Sequence, residues 1–376
     1  MALDETIFLT GFPGFIAGRL VKRLATEGAR FLLLVQPAFM QRAREEVARI
    51  ASEMNANADS FHLIEGDITQ HDLGLSPLEL ERVRQETTIL FHLAAIYDLA
   101  VRRDPAMHVN VEGTRNVNRF ALTLPNLRRY HYVSTCYVAG LRTGAILETE
   151  LEHSAGFRNF YEETKYLAEL EVEALKAQLP VTIHRPAVVC GDSQTGETAK
   201  YDGIYYLIQY LRKQPSLLSL VNIGNRQVSL NLVPVDFVVE AMTALMKDER
   251  ASGKTLQLAD PNPLTTYELF ETIARALAGH GSRITVPARL VRSTLYLPFT
   301  PLITGLPHAG VPYFFLNQDY DLSKRESSED GCFRGWFRSN VETLRCYKPV
   351  NSQLVSITNY VDDLFFYVLL SLSFVG

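Results

Sequence analysis

Cysteine is scarce and scattered: the 376 residues hold four, Cys136, Cys190, Cys332 and Cys346, with no C-x-x-C pair and no grouping with the nine histidines. That spacing argues against a disulfide framework or a zinc site, so no metal is expected. Acidic side chains outnumber basic ones, 42 to 37, and no long basic block breaks the pattern. A nucleic-acid partner is therefore not expected. The start, Met1-Ala2-Leu3-Asp4-Glu5, carries no basic, apolar leader, which leads us to expect a cytoplasmic protein. The apolar run from Leu364 to Val375 falls short of the roughly 20 residues a membrane-spanning helix needs. It reads as a terminal helix docked on the core, with weak membrane-surface contact or a wall for a greasy substrate as alternatives. No internal repeat is visible. What is present is an ordinary globular composition, 47% hydrophobic and 21% charged, enough for one large or two modest domains.

A glycine-rich turn, Thr10-Gly11-Phe12-Pro13-Gly14-Phe15-Ile16-Ala17, follows the apolar stretch Ile7-Phe8-Leu9 and opens an amphipathic run through Leu20, Val21 and Leu24. A strand handing over to a helix is the context a phosphate cradle requires. Gly11 and Gly14 let backbone N–H groups and the helix dipole face a pyrophosphate without a side chain between. A ligand-free tight turn is the bland alternative, and the turn's place at the first strand-to-helix junction favours a nucleotide. Ala17 holds the third small position, where alanine still permits close helix-to-strand packing.

Apolar strand-like runs recur at Ile7–Leu9, Phe31–Val35, Phe61–Ile64, Ile89–Leu93, Tyr130–Ser134 and Val181–His184, with helical patterns near 15–27, 38–54, 107–122 and 160–178. This is the rhythm of an α/β doubly wound parallel sheet. We expect a nucleotide-binding domain over 1–195, with 222–250 returning to it. Residues 196–376 would form mainly a smaller substrate-binding lobe and a tail. In that half, Thr265-Thr266-Tyr267-Glu268 looks like a capping box opening a helix through Leu269, Ile273 and Leu277. The stretch Leu290 to Leu316, interrupted by Pro298, Pro301, Pro307 and Pro312, suggests an apolar, irregular lid.

Tyr161 and Lys165 are four residues apart in a helical pattern and so leave one face together. A free phenol, with a pKa near 10, is a poor proton carrier at neutral pH. An ammonium beside it, together with a positive nicotinamide, lowers it toward the working range. Thr135, at the end of the strand carrying Tyr132-Val133-Ser134, can hold a substrate oxygen, and strand alternation lets only one of Ser134 and Thr135 look into the site. We take Thr135. Tyrosine and lysine at this spacing are common on amphipathic helices, and it is the position after the fifth strand that raises the pair above a surface contact.

These residues together resemble the extended short-chain dehydrogenase/reductase superfamily: a T-G-x-x-G turn, a Ser or Thr after the fifth strand, and Y-x-x-x-K. Further strings over roughly residues 5–275 carry the likeness: Gly66-Asp67-Ile68, Phe91-His92-Leu93-Ala94-Ala95, Asn110-Val111-Glu112-Gly113-Thr114 and Arg185-Pro186-Ala187-Val188-Val189-Cys190-Gly191-Asp192-Ser193. The last, with Asn231-Leu232-Val233-Pro234-Val235-Asp236, is similar to fatty acyl-CoA reductases and thioester reductase domains. The resemblance implies a Rossmann fold and catalytic roles for Thr135, Tyr161 and Lys165. It implies cofactor contacts from Thr10, Gly11, Phe12, Pro13, Gly14, Phe15 and Ile16. Asp67, with Ile68 beside it, would touch adenine, Ala94 and Ala95 would line the channel, and Pro186, with Val188 beyond it, would lie against nicotinamide. Asn110 would order a water near Lys165, or simply start a helix, and His92 reads as a satisfied core histidine.

At the end of the second strand, Val35-Gln36-Pro37 offers no acid for a ribose hydroxyl, and Arg42 and Arg44 follow. This favours NADP(H), with Gln36 and Arg42 in the cofactor set; the family often has arginine where Gln36 stands, which leaves NAD(H) open. The leading expectation is an NADPH-dependent reductase of an acyl thioester, on CoA or an acyl carrier protein, giving an aldehyde or onward an alcohol. The alternatives are a ketone or aldehyde reductase, a sugar-nucleotide epimerase, and a cofactor-sensing protein without chemistry. The second half lacks basic groups for a diphosphate, and the Thr-Tyr-Lys set speaks against the sensor.

Overall fold

The computed structural model describes residues 5–198, 203–213, 215–304 and 306–321. The apolar run 364–375, Lys324-Arg325-Glu326 and Trp336 lie outside the described residues. The chain divides into two compact units.

The first unit comprises the residues up to Arg142, Glu148–Ala187 and Val238–Leu258. Its centre is a seven-stranded sheet of β1 (Thr6–Thr10), β2 (Arg30–Val35), β3 (Phe61–Glu65), β4 (Ile89–His92), β5 (Arg129–Val133), β6 (Val181–Pro186) and β7 (Thr255–Leu258). Every pairing is parallel, in the order β7-β6-β5-β4-β1-β2-β3. Strands β1, β4 and β6 are buried at every residue. Helices covering both faces of such a sheet leave no polar side, so the strands are continuous apolar runs rather than alternating ones. The order reverses between β1 and β4, and ligands of such folds gather at the carboxyl ends of the strands there.

The four helical patterns read from the sequence are met to different degrees, and a further helix joins them. α1 (Phe15–Ala25) buries Ala17, Leu20, Val21 and Leu24, while α2 (Met40–Met54) buries only Ala43 and Ile50. α3 (Pro77–Glu86) was not among the expected helices; Ser76 caps it by accepting from the Glu79 N–H, with proline in the first turn. The expected helix over 107–122 is two structures: a π-helix, Met107–Gly113, runs into α4 (Thr114–Ala121). The wider π turn is a common device at functional sites. α5 (Phe160–Glu173) is capped by Asn159, whose side chain accepts from the Glu162 N–H, and turns Tyr161, Lys165 and Glu169 inward at a spacing of four. One core beneath these helices joins Phe8, Leu90, Val117, Phe120, Tyr130, Tyr132, Ala168, Val172 and Ile183. Phe8 and Phe120 meet edge to face at 5.5 Å.

The second unit comprises Thr143–Leu147, Val188–Phe237 and the described residues from Ala259 onward. Val188–Cys190 pairs in parallel with Leu232–Pro234, and Gly144–Leu147 with Gln318–Asp321. Helices α6 (Ile204–Lys213) and α7 (Thr266–Ala278) share a core with Leu230 and Leu232, built on Ile204, Ile208, Leu211, Leu269, Phe270 and Ile273. The capping box read from the sequence is present: Thr265 accepts from the Glu268 N–H, and the Glu268 carboxylate accepts from the Thr265 N–H at 2.9 Å. Where an irregular lid was expected, three short helices form at Ala288–Leu295, Thr300–Thr304 and His308–Phe315. Pro287 and Pro307 stand just before the first and the third of them, while Pro312 lies inside the third.

Candidate active site

All but one of the sequence-derived site residues lie in the first unit; Val188 belongs to the second. The glycine turn has the geometry a phosphate cradle needs. Gly11 has φ +94°, and a Cβ there would sit 2.8 Å from the Ala94 nitrogen; at Gly14 it would sit 2.7 Å from the Gly11 carbonyl oxygen. Neither position admits a side chain, so the backbone lies bare at the start of α1. No acidic residue occupies the first turn of that helix, whose last turn carries Lys22 and Arg23. The unpaired N–H groups and the dipole together favour an anion, and the cradle suits a dinucleotide pyrophosphate.

Around the turn the other cofactor candidates are placed as follows. The Thr10 hydroxyl accepts from the Ala94 N–H at 3.2 Å. Asp67 takes the Gln36 amide at 2.9 Å on one oxygen, and the Thr69 N–H and hydroxyl, both at 2.8 Å, on the other. Arg42 is exposed on α2, Ala95 is exposed after β4, and Ile68 is buried against Gly113. The Asn110 side chain accepts from the Ile96 N–H at 2.8 Å and donates to the Thr164 hydroxyl at 3.0 Å. Its amide therefore ties the loop after β4 to α5, a use the sequence does not reveal.

The end of β5 separates two neighbours. The Ser134 hydroxyl donates to Glu169, while Thr135 takes the Tyr137 N–H at 3.3 Å and hydrogen-bonds the Tyr161 phenol. Pro186 follows on β6, its carbonyl 3.5 Å from the Thr135 hydroxyl. Tyr97 packs edge-on against Tyr161 at 5.1 Å. Burial raises the Tyr161 pKa, against which the Thr135 bond works, so the phenol is held protonated. Lys165 makes no hydrogen bond to Tyr161; its ammonium donates to the Tyr132 phenol oxygen and to the Val133 carbonyl, each at 2.8 Å. Burial depresses its pKa to about 7, with Glu169 pulling the other way. The expected acidifying contact between ammonium and phenol is thus not made in the protein alone, because the strand beneath offers Lys165 two better acceptors.

Two buried ion pairs fix this machinery. Glu169 accepts from Arg185 at 2.8 Å, and Arg185 also donates to the carbonyls of Glu148 and Glu150 at 3.3 and 3.2 Å. Glu162 pairs with Arg158 at 3.0 Å. The sequence reading missed Glu169 and Arg185, although the spacing of four from Lys165 to Glu169 was a signal. His92 is the satisfied core histidine expected: its two ring nitrogens meet the hydroxyls of Thr10 at 2.7 Å and Thr114 at 3.0 Å.

A parallel doubly wound sheet, a glycine cradle at its reversal point and an inward Y-x-x-x-K helix define an NAD-binding domain of the extended short-chain dehydrogenase/reductase type. The chain belongs to the male sterility protein family of NAD-binding domains, whose model matches residues 9–242. Its relatives include a glycine betaine reductase of Emericella nidulans, 27% identical over 289 residues that make up 72% of this chain and 22% of that protein. A fatty acyl-CoA reductase of Drosophila melanogaster is 26% identical over 280 residues, 64% of this chain and 54% of that protein. The chain thus spans about half or less of the length of these two relatives. In fold it matches the terminal reductase domain of a myxalamid biosynthetic pathway, with a TM-score of 0.75 and 23% identity over 97% of this chain and 92% of that one. The resemblance read from the motifs to fatty acyl-CoA reductases and thioester reductase domains is borne out. Among the described residues no helix is long and apolar enough to cross a membrane.

Proposed function

We propose that this chain reduces an acyl thioester, carried on CoA or on an acyl carrier protein, to an aldehyde, with NADPH as the favoured donor. The observation that carries the reading is the buried Tyr161 phenol, hydrogen-bonded by Thr135 at the carboxyl end of β5 on the helix that also bears Lys165. The relative that is a fatty acyl-CoA reductase supports the substrate class.

When bound, the reduced nicotinamide supplies hydride to the carbonyl carbon. Thr135 orients the substrate oxygen and Tyr161 gives it a proton as negative charge develops there. The resulting hemithioacetal returns its hydroxyl proton, the carbon–sulfur bond breaks, and the sulfur leaves as a thiol after taking up a proton. One reduced cofactor and one proton are consumed for each aldehyde and thiol; a second round on the aldehyde gives an alcohol. Gly11, Gly14 and the start of α1 would hold the pyrophosphate, Asp67 and Gln36 would bound the adenine side, and Arg42 would meet a 2′-phosphate. Pro186 would lie against the nicotinamide.

The test is incubation of the purified protein with NADPH and a panel of acyl-CoAs, carrier-bound acyl groups, ketones and aldehydes, following reduced-cofactor absorbance and free thiol. Thiol release in step with cofactor oxidation is the expected result. Oxidation with ketones and no thiol from any thioester would sink the proposal.

A further inference from the structure

Five polar side chains run through the middle of the first unit where apolar ones would fill the space: Thr10 at 0% exposure, His92, Thr114 and Tyr132 each at 1%, and Lys165 at 3%. Buried polar groups are costly unless bonded, and these are bonded to one another. The Ala94 N–H donates to the Thr10 hydroxyl, which lies 2.7 Å from His92 Nδ1. His92 Nε2 is 3.0 Å from the Thr114 hydroxyl, which donates to the Asn110 carbonyl at 2.6 Å. The Tyr132 phenol is hydrogen-bonded to Thr114 and accepts from Lys165 at 2.8 Å. Only one arrangement of hydrogens satisfies every link. Burial, with the Lys165 charge adding, pushes His92 down to about 3, so its ring is neutral. The Thr10 O–H then donates to Nδ1, and the Nε2–H and the Tyr132 O–H both donate to the Thr114 oxygen.

We propose that Tyr132 is a positioning residue for Lys165, and that Thr10, His92 and Thr114 anchor it in a chain of side chains linking the glycine turn to the lysine. The proposal rests on the reading of Lys165 as part of the active site and adds residues that no Y-x-x-x-K motif names. Lys165 has three N–H bonds. Tyr132 and Val133 take two, which fixes the nitrogen and leaves the third for a cofactor ribose. The ammonium also stands 4.4 Å over the Tyr132 ring, so the same residue supplies an oxygen and a π face. The other titratable groups around Lys165 are Glu169 and Tyr161 on its own helix and His92 from β4. None of them makes a hydrogen bond to it, which leaves Tyr132 as its side-chain acceptor.

Tyr132→Phe keeps the ring and removes the oxygen. An ammonium that loses a charge-assisted acceptor gives up its proton more readily. Turnover should fall about ten-fold, and the alkaline limb of its pH profile should move down by about one unit. Thr114→Val, which deprives the phenol of its acceptor, should move the limb the same way, and Thr114→Ser should bring it back toward the wild-type position. The same shift should appear in the pH dependence of NADPH binding, read by nicotinamide fluorescence without any substrate. A merely structural role would lower turnover at every pH and leave the limb in place. Limbs unmoved in both folded Tyr132→Phe and folded Thr114→Val overturn the proposal. If the wild type releases no thiol from any thioester, the reductase reading fails, while the substrate-free binding profile still decides the role of Tyr132.

Discussion

The ammonium of Lys165 donates to the phenol oxygen of Tyr132 at 2.8 Å, and the two residues are 33 positions apart in the chain. Its interior setting pushes the lysine pKa to about 7 from 10.5. Between those values the unfolded chain holds a proton that the folded chain has released, so the lysine's contribution to stability improves as pH rises through that window. Below about 7 both states are charged and the buried ammonium costs the fold most. Replacing Lys165 with methionine removes this dependence. The melting temperature of Lys165→Met, measured without cofactor and compared with wild type, should be relatively highest near pH 6 and lose ground by pH 10. A difference that stays flat with pH would show that the lysine is not held near neutrality.

Tyr161→Phe should lower turnover by about a hundred-fold or more, the usual scale for removing a general acid. Cofactor affinity should be largely preserved, because the phenyl ring still packs on Tyr97. Steady-state rates with a reduced substrate panel, beside cofactor titration by fluorescence, separate the two effects. Undiminished turnover would remove Tyr161 from the chemistry.

Glu169→Gln leaves Arg185 as a buried charge without its partner, a loss on the order of 3–5 kcal/mol. Ser134→Ala deletes only a neutral donor to the same carboxylate and should cost about 1 kcal/mol. Chemical denaturation at neutral pH gives both numbers, and equal costs would mean that the ion pair does not fasten α5 to β6.

Much of the fold could be read directly. Buried parallel strands leave unbroken apolar runs such as Phe31 to Val35, and the Thr265–Glu268 capping box is a local contract between side chain and backbone. What escaped has a physical reason in each case. β7 is four residues, Thr255–Leu258, with a buried Gln257 in its midst. α3 buries Val83 alone among its residues and so shows little apolar face. The π turn over 107–113 has no separate signature in a pattern read at helical period. At the site, Tyr161, Lys165 and Thr135 were visible as a motif, but their wiring was not. Which acceptor Lys165 chooses, and that the Asn110 amide is committed to Ile96 and Thr164, depend on contacts between residues far apart in sequence.

Gly11→Ala should cost both stability and cofactor affinity. The new methyl group would meet the backbone at Ala94 in a left-handed conformation that alanine resists. Gly14→Ala should also cost both, since its Cβ would stand 2.7 Å from the Gly11 carbonyl oxygen, but its φ of −65° suits alanine and the loss of stability should be smaller. Thermal melts paired with cofactor titrations should separate the two; equal effects on stability would contradict the role of positive φ at Gly11.

Cofactor choice hangs on the end of β2. Gln36 donates its amide to Asp67, so that carboxylate is already engaged by a neutral partner. Arg42 stands exposed on α2 with no acidic partner among the described residues. A 2′-phosphate would gain from that free guanidinium, while a bare ribose hydroxyl would gain little. Arg42→Ala should therefore weaken NADPH by roughly five- to ten-fold, an exposed charge-pair effect enlarged by the phosphate's double charge, and leave NADH nearly unchanged. The loss should shrink with added salt, as for any solvent-screened pair. Gln36→Asp should work in the opposite sense, repelling the phosphate and offering a ribose an acceptor, and so raise the preference for NADH. If Arg42→Ala weakens both cofactors alike, the arginine only supports α2, and the basis for preferring NADPH disappears.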